Sequence, residues 1–244
     1  MPDAVFDDPR LAAVYDDLDP DRSDLEAYAA LVAELGARKV LDIGCGTGTF
    51  ALLLAHAGVE VVGVDPARAS VEVARRKSGA DLVTWIDGDA TSLPPLQVDL
   101  ATMTANVAQV FLTDEDWLAT LRGIRRALRP GGHLVFETRD PARRAWERWT
   151  REHTHQVVDI PVVGAVETWI DLVSADAEAG LVRFHDTNVF HADGAVITSD
   201  STLRFRSREE LDASLAETGF DVLEVRDAPD RPGREWVYLA RRTG

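Results

Sequence analysis

Three glycines at alternate positions, Gly44, Gly46 and Gly48, follow the apolar run Val40-Leu41-Asp42-Ile43 and precede a helix-forming segment from Phe50 to Ala57. A strand that must turn into a helix within a few residues needs positive φ angles, which glycine adopts at least cost, and a missing side chain lets a ligand touch the backbone. The helix start beyond adds unpaired N–H groups. Together these read as a nucleotide-binding turn. Asp65 ends a second apolar run, Val61-Val62-Gly63-Val64, 17 positions after Gly48. A carboxylate there can accept hydrogen bonds from both hydroxyls of a ribose. It also suits a helix N-cap ahead of Pro66, and the two roles are compatible. Asp89, in Asp87-Gly88-Asp89-Ala90, follows a third apolar run and taken alone is a turn residue.

The spacing selects the nucleotide. A dinucleotide fingerprint, G-x-G-x-x-G, would place its last glycine at position 49, where this chain has Thr49. G-x-G-x-G after a strand bearing Asp42 resembles the first motif of the class I S-adenosylmethionine-dependent methyltransferases. The resemblance implies S-adenosyl-L-methionine as cofactor, with Asp42, Gly44, Cys45, Gly46, Thr47 and Gly48 forming its turn. It implies further that Asp65 and Pro66 lie at the ribose, that Asp89 bonds the exocyclic amine of adenine, and that Ala90 leaves room for the ring. It puts Thr104 and Asn106, after the fourth strand, beside the transferable methyl group. Methyltransferases of nucleic-acid bases carry Asn/Asp-Pro-Pro-Tyr/Phe at this point and metal-dependent catechol-type enzymes an acid at the strand end. Here the chain reads Met103-Thr104-Ala105-Asn106, so neither class is supported and no metal is expected.

The elements that position these residues alternate. Strands are expected at 38–43, 59–64, 82–86, 97–103 and 132–138, with helices at 48–57, 67–77 and 114–128. Short apolar strands between amphipathic helices imply a parallel sheet covered on both faces, with ligands at the strands' carboxyl ends. A helix from 207 to about 218 and strands at 220–226 and 235–240 close the sheet, the last antiparallel in the family. The expected fold is α/β, a Rossmann-like seven-stranded, mostly parallel sheet with helices on both faces. An N-terminal helical cap (1–37) precedes it, whose second helix opens on a Ser23–Glu26 capping box. The core spans 38–154 and 207–244. Residues 155–206 alternate with period two and read as a three-stranded antiparallel insertion, either a lid over the acceptor or a dimer contact.

A formal charge of −16 and pI near 4.7 oppose a phosphate backbone, so long nucleic acid is a poor partner and a small molecule a better one. No apolar run is long enough for a membrane span, and the N-terminus is acidic where a secretory signal is basic, so a cytoplasmic location is expected. The single Cys45 excludes an intrachain disulfide. The acceptor-side candidates are Tyr15 in the cap, Asn106 and Gln109 after strand four, Arg139 at the end of strand five, and Trp169 and His185 in the insertion. An Arg- and Trp-rich stretch, 142–151, reads as a helix with Trp146 and Trp149 on one face. The expected activity is methyl transfer to a small-molecule acceptor, driven mainly by positioning and needing no visible catalytic dyad. A Rossmann-type NAD-dependent oxidoreductase and a non-catalytic S-adenosylmethionine-binding protein are the alternatives.

Overall fold

The computed structural model describes residues 2–244. Two helices open it, α1 (Ala4–Asp7) and α2 (Pro9–Leu18). The second is started by the Asp8 side chain, which accepts from the N–H groups of Arg10 and Leu11, with Pro9 in the first turn. In α3 (Asp24–Glu34) the expected capping box is absent. Ser23 already has helical φ and ψ, so its hydroxyl does not reach the third residue's N–H; Arg22 instead holds Asp24 through two N–H···O bonds.

Next come β1 (Lys39–Ile43), α4 (Thr49–His56), β2 (Glu60–Asp65), α5 (Arg68–Ala74), β3 (Val83–Asp87), β4 (Val98–Met103), α6 (Asp114–Ala127) and β5 (Leu128–Arg139). The chain continues through α7 (Arg151–Thr154), β6 (Gln156–Ile160), β7 (Gly164–Asp176), β8 (Leu181–Phe190) and β9 (Ala195–Arg204). It ends with α8 (Arg208–Glu217), β10 (Phe220–Asp227) and β11 (Glu235–Arg242). The main sheet has the order β10-β11-β5-β4-β1-β2-β3. β11 alone runs antiparallel to its neighbours, as the Rossmann-like expectation requires. Because β1 is covered on both faces, its apolar residues alternate between two cores. Leu41 and Ile43 pack with Trp117, Leu121 and Leu211 on one side, while Val40 packs with Tyr28, Val32 and Phe50 on the other.

Strand β5 begins four residues earlier than its sequence pattern indicates. Leu128 already pairs with Val98 of β4, and the register shifts before His133 because Pro130 has no N–H to contribute to a ladder. The Arg- and Trp-rich stretch is not a single helix. Arg144 takes a left-handed conformation (φ 46°) and splits it into two short 3-10 turns before α7. Trp146 and Trp149 point at the insertion, packing edge-on against Phe205 and Phe184 with ring centroids 4.7 and 4.9 Å apart. Burial against these rings outweighs the helical periodicity of the stretch.

The insertion is a four-stranded sheet, β6-β7-β8-β9, one strand more than the alternation shows. Gln156–Ile160 carries too few alternating positions to announce itself, but it pairs fully along β7. Helices α1 and α2 are wedged between this sheet and α5. Leu11 and Val14 pack on Ile160, Val166 and Phe190, while the Ser70 hydroxyl donates to the Phe6 carbonyl at 2.6 Å and the Ala69 N–H to Asp7. Each such buried aliphatic contributes about 1.5–3 kcal/mol, enough to hold a short arm in place.

Candidate active site

Strands β4, β1, β2 and β3 lie side by side and parallel, so the segments leaving their carboxyl ends meet along one edge of the sheet. The glycine turn leaves β1. Gly44 and Gly48 have φ of +69° and +81°, and a Cβ at either would lie 2.5 Å from a side chain, that of Val107 or Trp85. Glycine is required there by contact as well as by conformation. Gly46, also at positive φ, has nothing within 4 Å of the position a Cβ would take, so the middle of the turn faces open space.

Asp65 stands at the end of β2 and is 8% exposed. Its Oδ2 accepts the Gly46 N–H at 2.8 Å and its Oδ1 the Ala67 N–H at 2.7 Å. The same carboxylate thus braces the glycine turn and starts α5, and each oxygen keeps one lone pair for a further donor. Burial pushes its pKa up, with the two backbone bonds pulling the other way. Beyond β3, Asp89 is exposed. Its Oδ1 takes the N–H and hydroxyl of Thr91 at 2.8 and 2.6 Å. These bonds and those of Ser92 outweigh burial and hold its carboxyl below the ordinary value. Ala90 beside it is buried, its carbonyl pressed against Gly123 of α6. Asp42, Thr47 and Thr104 are buried along the same edge, while Pro66 is exposed. The Asp42 Oδ1 accepts from Thr102 at 3.1 Å and Oδ2 has no partner, and burial pushes this carboxyl up to about 7. Burial also raises the Cys45 thiol well above its usual value, which leaves it protonated and inert near neutral pH.

The loop after β4 is strained. Ala105 and Asn106 are consecutive non-glycine residues at positive φ, 54° and 60°, a conformation that persists only where its surroundings impose it. Here the imposing group is Glu137 of β5, 4% exposed, whose Oε1 accepts the Asn106 N–H at 3.1 Å while Oε2 accepts from the Tyr28 hydroxyl. Asn106 Nδ2 donates to Glu235 at 3.1 Å, and Glu235 also takes Arg231 at 2.8 Å and Arg139 at 3.4 Å. Arg139 reaches on to Gln109 Oε1 at 2.9 Å and lies over the Trp149 ring.

A cleft of about 340 Å³ opens here, between the α2–α3 connection, the β4 loop, the end of β5 and the β10–β11 turn. Tyr15, Asn106 and Arg139 line it. Gln109 is fully buried and does not line the cleft, though it is bonded to Arg139, which does. Trp169 and His185 are not there. Both lie on the insertion sheet, Trp169 bonded to Asp171 and stacked under Arg151, His185 beside Asp200. Strand pairing gives each a neighbour across the sheet, and neither touches the cleft.

Several functional candidates escape the sequence. Asp16 of α2 takes the Thr47 hydroxyl at 2.6 Å and pairs with Lys77 at 2.5 Å, fastening the cap to the glycine turn. Glu137, Glu235, Arg22 and Arg231 complete the cleft's charged network. Only Glu137 left a trace, as an acid interrupting the apolar run Leu134-Val135-Phe136 near a strand's carboxyl end.

A sheet of this order, with a G-x-G-x-G turn leaving its first strand and an acid ending the second, is the frame of the class I S-adenosylmethionine-dependent methyltransferases. The chain belongs to that family, whose cofactor is S-adenosylmethionine. Residues 40–132 match the family model of a methyltransferase domain. A demethylmenaquinone methyltransferase of Clavibacter sepedonicus is 34% identical over 207 residues, which cover 82% of this chain and 73% of that protein. The cypemycin N-terminal methyltransferase of a Streptomyces species is 38% identical over 119 residues, 48% of this chain and 49% of that one. The match thus spans about half the length of the first curated relatives. Among solved structures, the CcbJ methyltransferase from Streptomyces caelestis superposes with a TM-score of 0.77 over 96% of both chains at 25% identity. The oxidoreductase alternative gains nothing from the fold. Thr49, where a dinucleotide site needs its third glycine, is the first residue of α4.

No helix among the described residues is long and apolar enough to cross a membrane, and no group of three or more His, Cys, Asp or Glu among them is arranged to hold a metal ion.

Proposed function

We propose that the protein transfers the methyl group of S-adenosylmethionine to a small-molecule acceptor held in the cleft over the ends of β4 and β5. The observation that carries this reading is one of placement. The open glycine turn, Asp65 and Asp89 lie on successive strand ends, and the cleft adjoins them through the β4 loop, where Val107 touches Gly44. In this reading Asp65 receives the ribose hydroxyls on its remaining lone pairs and the free Oδ2 of Asp89 the adenine amine, with Ala90 leaving space for the ring. The turn from Gly44 to Gly48 carries the rest of the nucleoside, and Thr104 and Asn106 flank the methyl group.

When bound, the cofactor supplies a methyl group already activated on a sulfonium. The chain's own work is to hold an acceptor lone pair in line with that carbon and to exclude water. Positioning of this kind supplies on the order of 7–11 kcal/mol in favourable cases. Tyr15 closes the cleft from the cap, and Asp16 fixes the cap to the turn. The insertion sheet braces α1 and α2 from outside and so acts as the wall of a lid. The relatives' own acceptors, from a demethylmenaquinone to a peptide N-terminus, agree with a small or accessible acceptor rather than long nucleic acid. The test is incubation with methyl-labelled S-adenosylmethionine and a host metabolite extract, alongside calorimetry with S-adenosylhomocysteine. Labelled product and saturable binding are expected. Absence of binding would overturn the assignment.

A further inference from the structure

We infer that the acceptor is an amine, which enters the cleft as its cation and gives its proton to Glu137; this rests on the methyl-transfer reading above. The first support is the charge of the cleft wall. Five carboxylates and three guanidiniums line it. Every guanidinium is paired, Arg22 with Asp24, Arg139 with Glu235, and Arg231 with both Asp230 and Glu235, the last of which does not line the cleft. Asp19, Asp21 and Glu137 are left with no ion-pair partner among the described residues. A cation is the guest that balances this wall.

The second support is polar and independent of charge. Asn106 lines the cleft and is 3% exposed, yet its side-chain Oδ1 has no donor. Its orientation is dictated by Glu235, which can only accept and therefore requires Nδ2 on its side. An acceptor atom so buried goes unsatisfied at a cost unless a ligand N–H reaches it. An ammonium has three N–H groups to divide between Oδ1 and Glu137.

Glu137 is placed to take a proton. Around it stand Tyr28 from α3, Asn106 from the β4 loop, Glu235 and Arg139 from paired strands, and Arg231 and Asp230 from the β10–β11 turn. Arg139 and Arg231 form their ion pairs with Glu235 and Asp230, so the hydrogen bonds to Glu137 come only from the neutral donors Tyr28 and Asn106. Burial first, and then the charge of Glu235, raise its pKa against those two bonds and the nearby charge of Arg231. A raised carboxylate is a suitable base for an ammonium, of ordinary pKa about 8–10, and far too weak for an aliphatic hydroxyl. A phenol would become an anion facing Asp19 and Asp21, both still unbalanced, whereas an ammonium becomes a neutral amine. The step balances. Glu137 takes one ammonium proton, the freed nitrogen lone pair forms the N–C bond to the methyl carbon, and the C–S bond breaks with its electron pair left on sulfur. The methylated product carries the positive charge, and Glu137 returns its proton to water.

The experiment labels a host metabolite extract with methyl-labelled cofactor and locates the label by NMR. It then titrates glucosamine and benzylamine, against glucose and benzyl alcohol, into protein saturated with S-adenosylhomocysteine. Label on nitrogen, and amine binding at least tenfold tighter than alcohol binding at pH 7, are expected. For Glu137→Gln, kcat/KM should fall about 100-fold at pH 7 and recover above pH 10, where the amine is free without a base, while S-adenosylhomocysteine binds as in the wild type. Label on oxygen, carbon or sulfur would overturn the amine inference, as would a Glu137→Gln variant with an unchanged pH profile. Should that variant not fold, the position of the label in the wild-type reaction decides alone. Loss of S-adenosylhomocysteine binding by the wild-type protein would instead overturn the methyl-transfer reading itself.

Discussion

Asp42→Asn is the substitution with the best-defined consequence. Asp42 is 1% exposed, keeps one hydrogen bond from Thr102, and has its carboxyl pushed from 3.8 to about 7, chiefly by burial and further by the charge of Asp65. A carboxyl with a raised pKa binds its proton more tightly in the folded state, so its contribution is present at low pH and is lost as pH climbs through the folded value. With these two values the linkage amounts to about 3 kcal/mol at pH 5 and close to zero at pH 8. Asparagine cannot titrate. Any fixed cost of its amide where Oδ2 stood is the same at both pH values and drops out of the comparison. Wild type should therefore lose about 3 kcal/mol relative to Asp42→Asn between pH 5 and pH 8, equivalent to about 5–10 °C in Tm for a chain of this size. Urea unfolding of both ligand-free proteins at half-unit pH steps measures it. A difference that stays flat across this range would refute the assignment of a protonated Asp42 inside the fold.

Asp65→Ala should weaken S-adenosylmethionine binding at least tenfold, about 1.4 kcal/mol or more, by calorimetry, and unchanged affinity would remove Asp65 from the ribose. Gly123→Ala separates local propensity from packing. In an isolated helix alanine gains about 1 kcal/mol over glycine, but here its Cβ would sit 2.0 Å from the Ala90 carbonyl oxygen. A net loss of about 1–3 kcal/mol is expected in urea unfolding, together with weaker cofactor binding as the Ala90 turn is displaced. Asp16→Ala removes the bonds to Thr47, Thr49 and Lys77. It should cost under about 1 kcal/mol globally, because the pair is partly exposed. Amide exchange of residues 4–18 should nevertheless accelerate severalfold, while exchange in β1 and β4 stays unchanged.

Local pattern carries far in this chain. The glycine turn, Asp65 at the end of its strand and the alternation of apolar strands with helices follow from φ requirements and hydrophobic period, which neighbouring residues fix among themselves. The order of strands and helices was legible on that basis, while the antiparallel last strand was expected only from the family resemblance. Features that depend on pairing at a distance were not. β6 is too short to show its period and exists because β7 offers an edge. Residues 142–151 have a helix's stripe, yet Arg144 turns left-handed and both Trp side chains settle against Phe205 and Phe184.

The division is sharpest at the site. The groups proposed for the nucleoside could be named from the sequence by itself, since each sits within a few residues of a strand end on the parallel sheet. Only the tertiary structure brings together the charged groups proposed for the acceptor side. Tyr28, Asn106, Glu137, Glu235 and Arg231 are separated by up to 207 positions and meet because β11 runs back along β5 and the cap folds over β4. It also sets Trp169 and His185 apart from the cleft, on the insertion sheet, by strand register. Charge balance within a cleft is a property of which side chains end up facing one another, and no spacing along the chain encodes it.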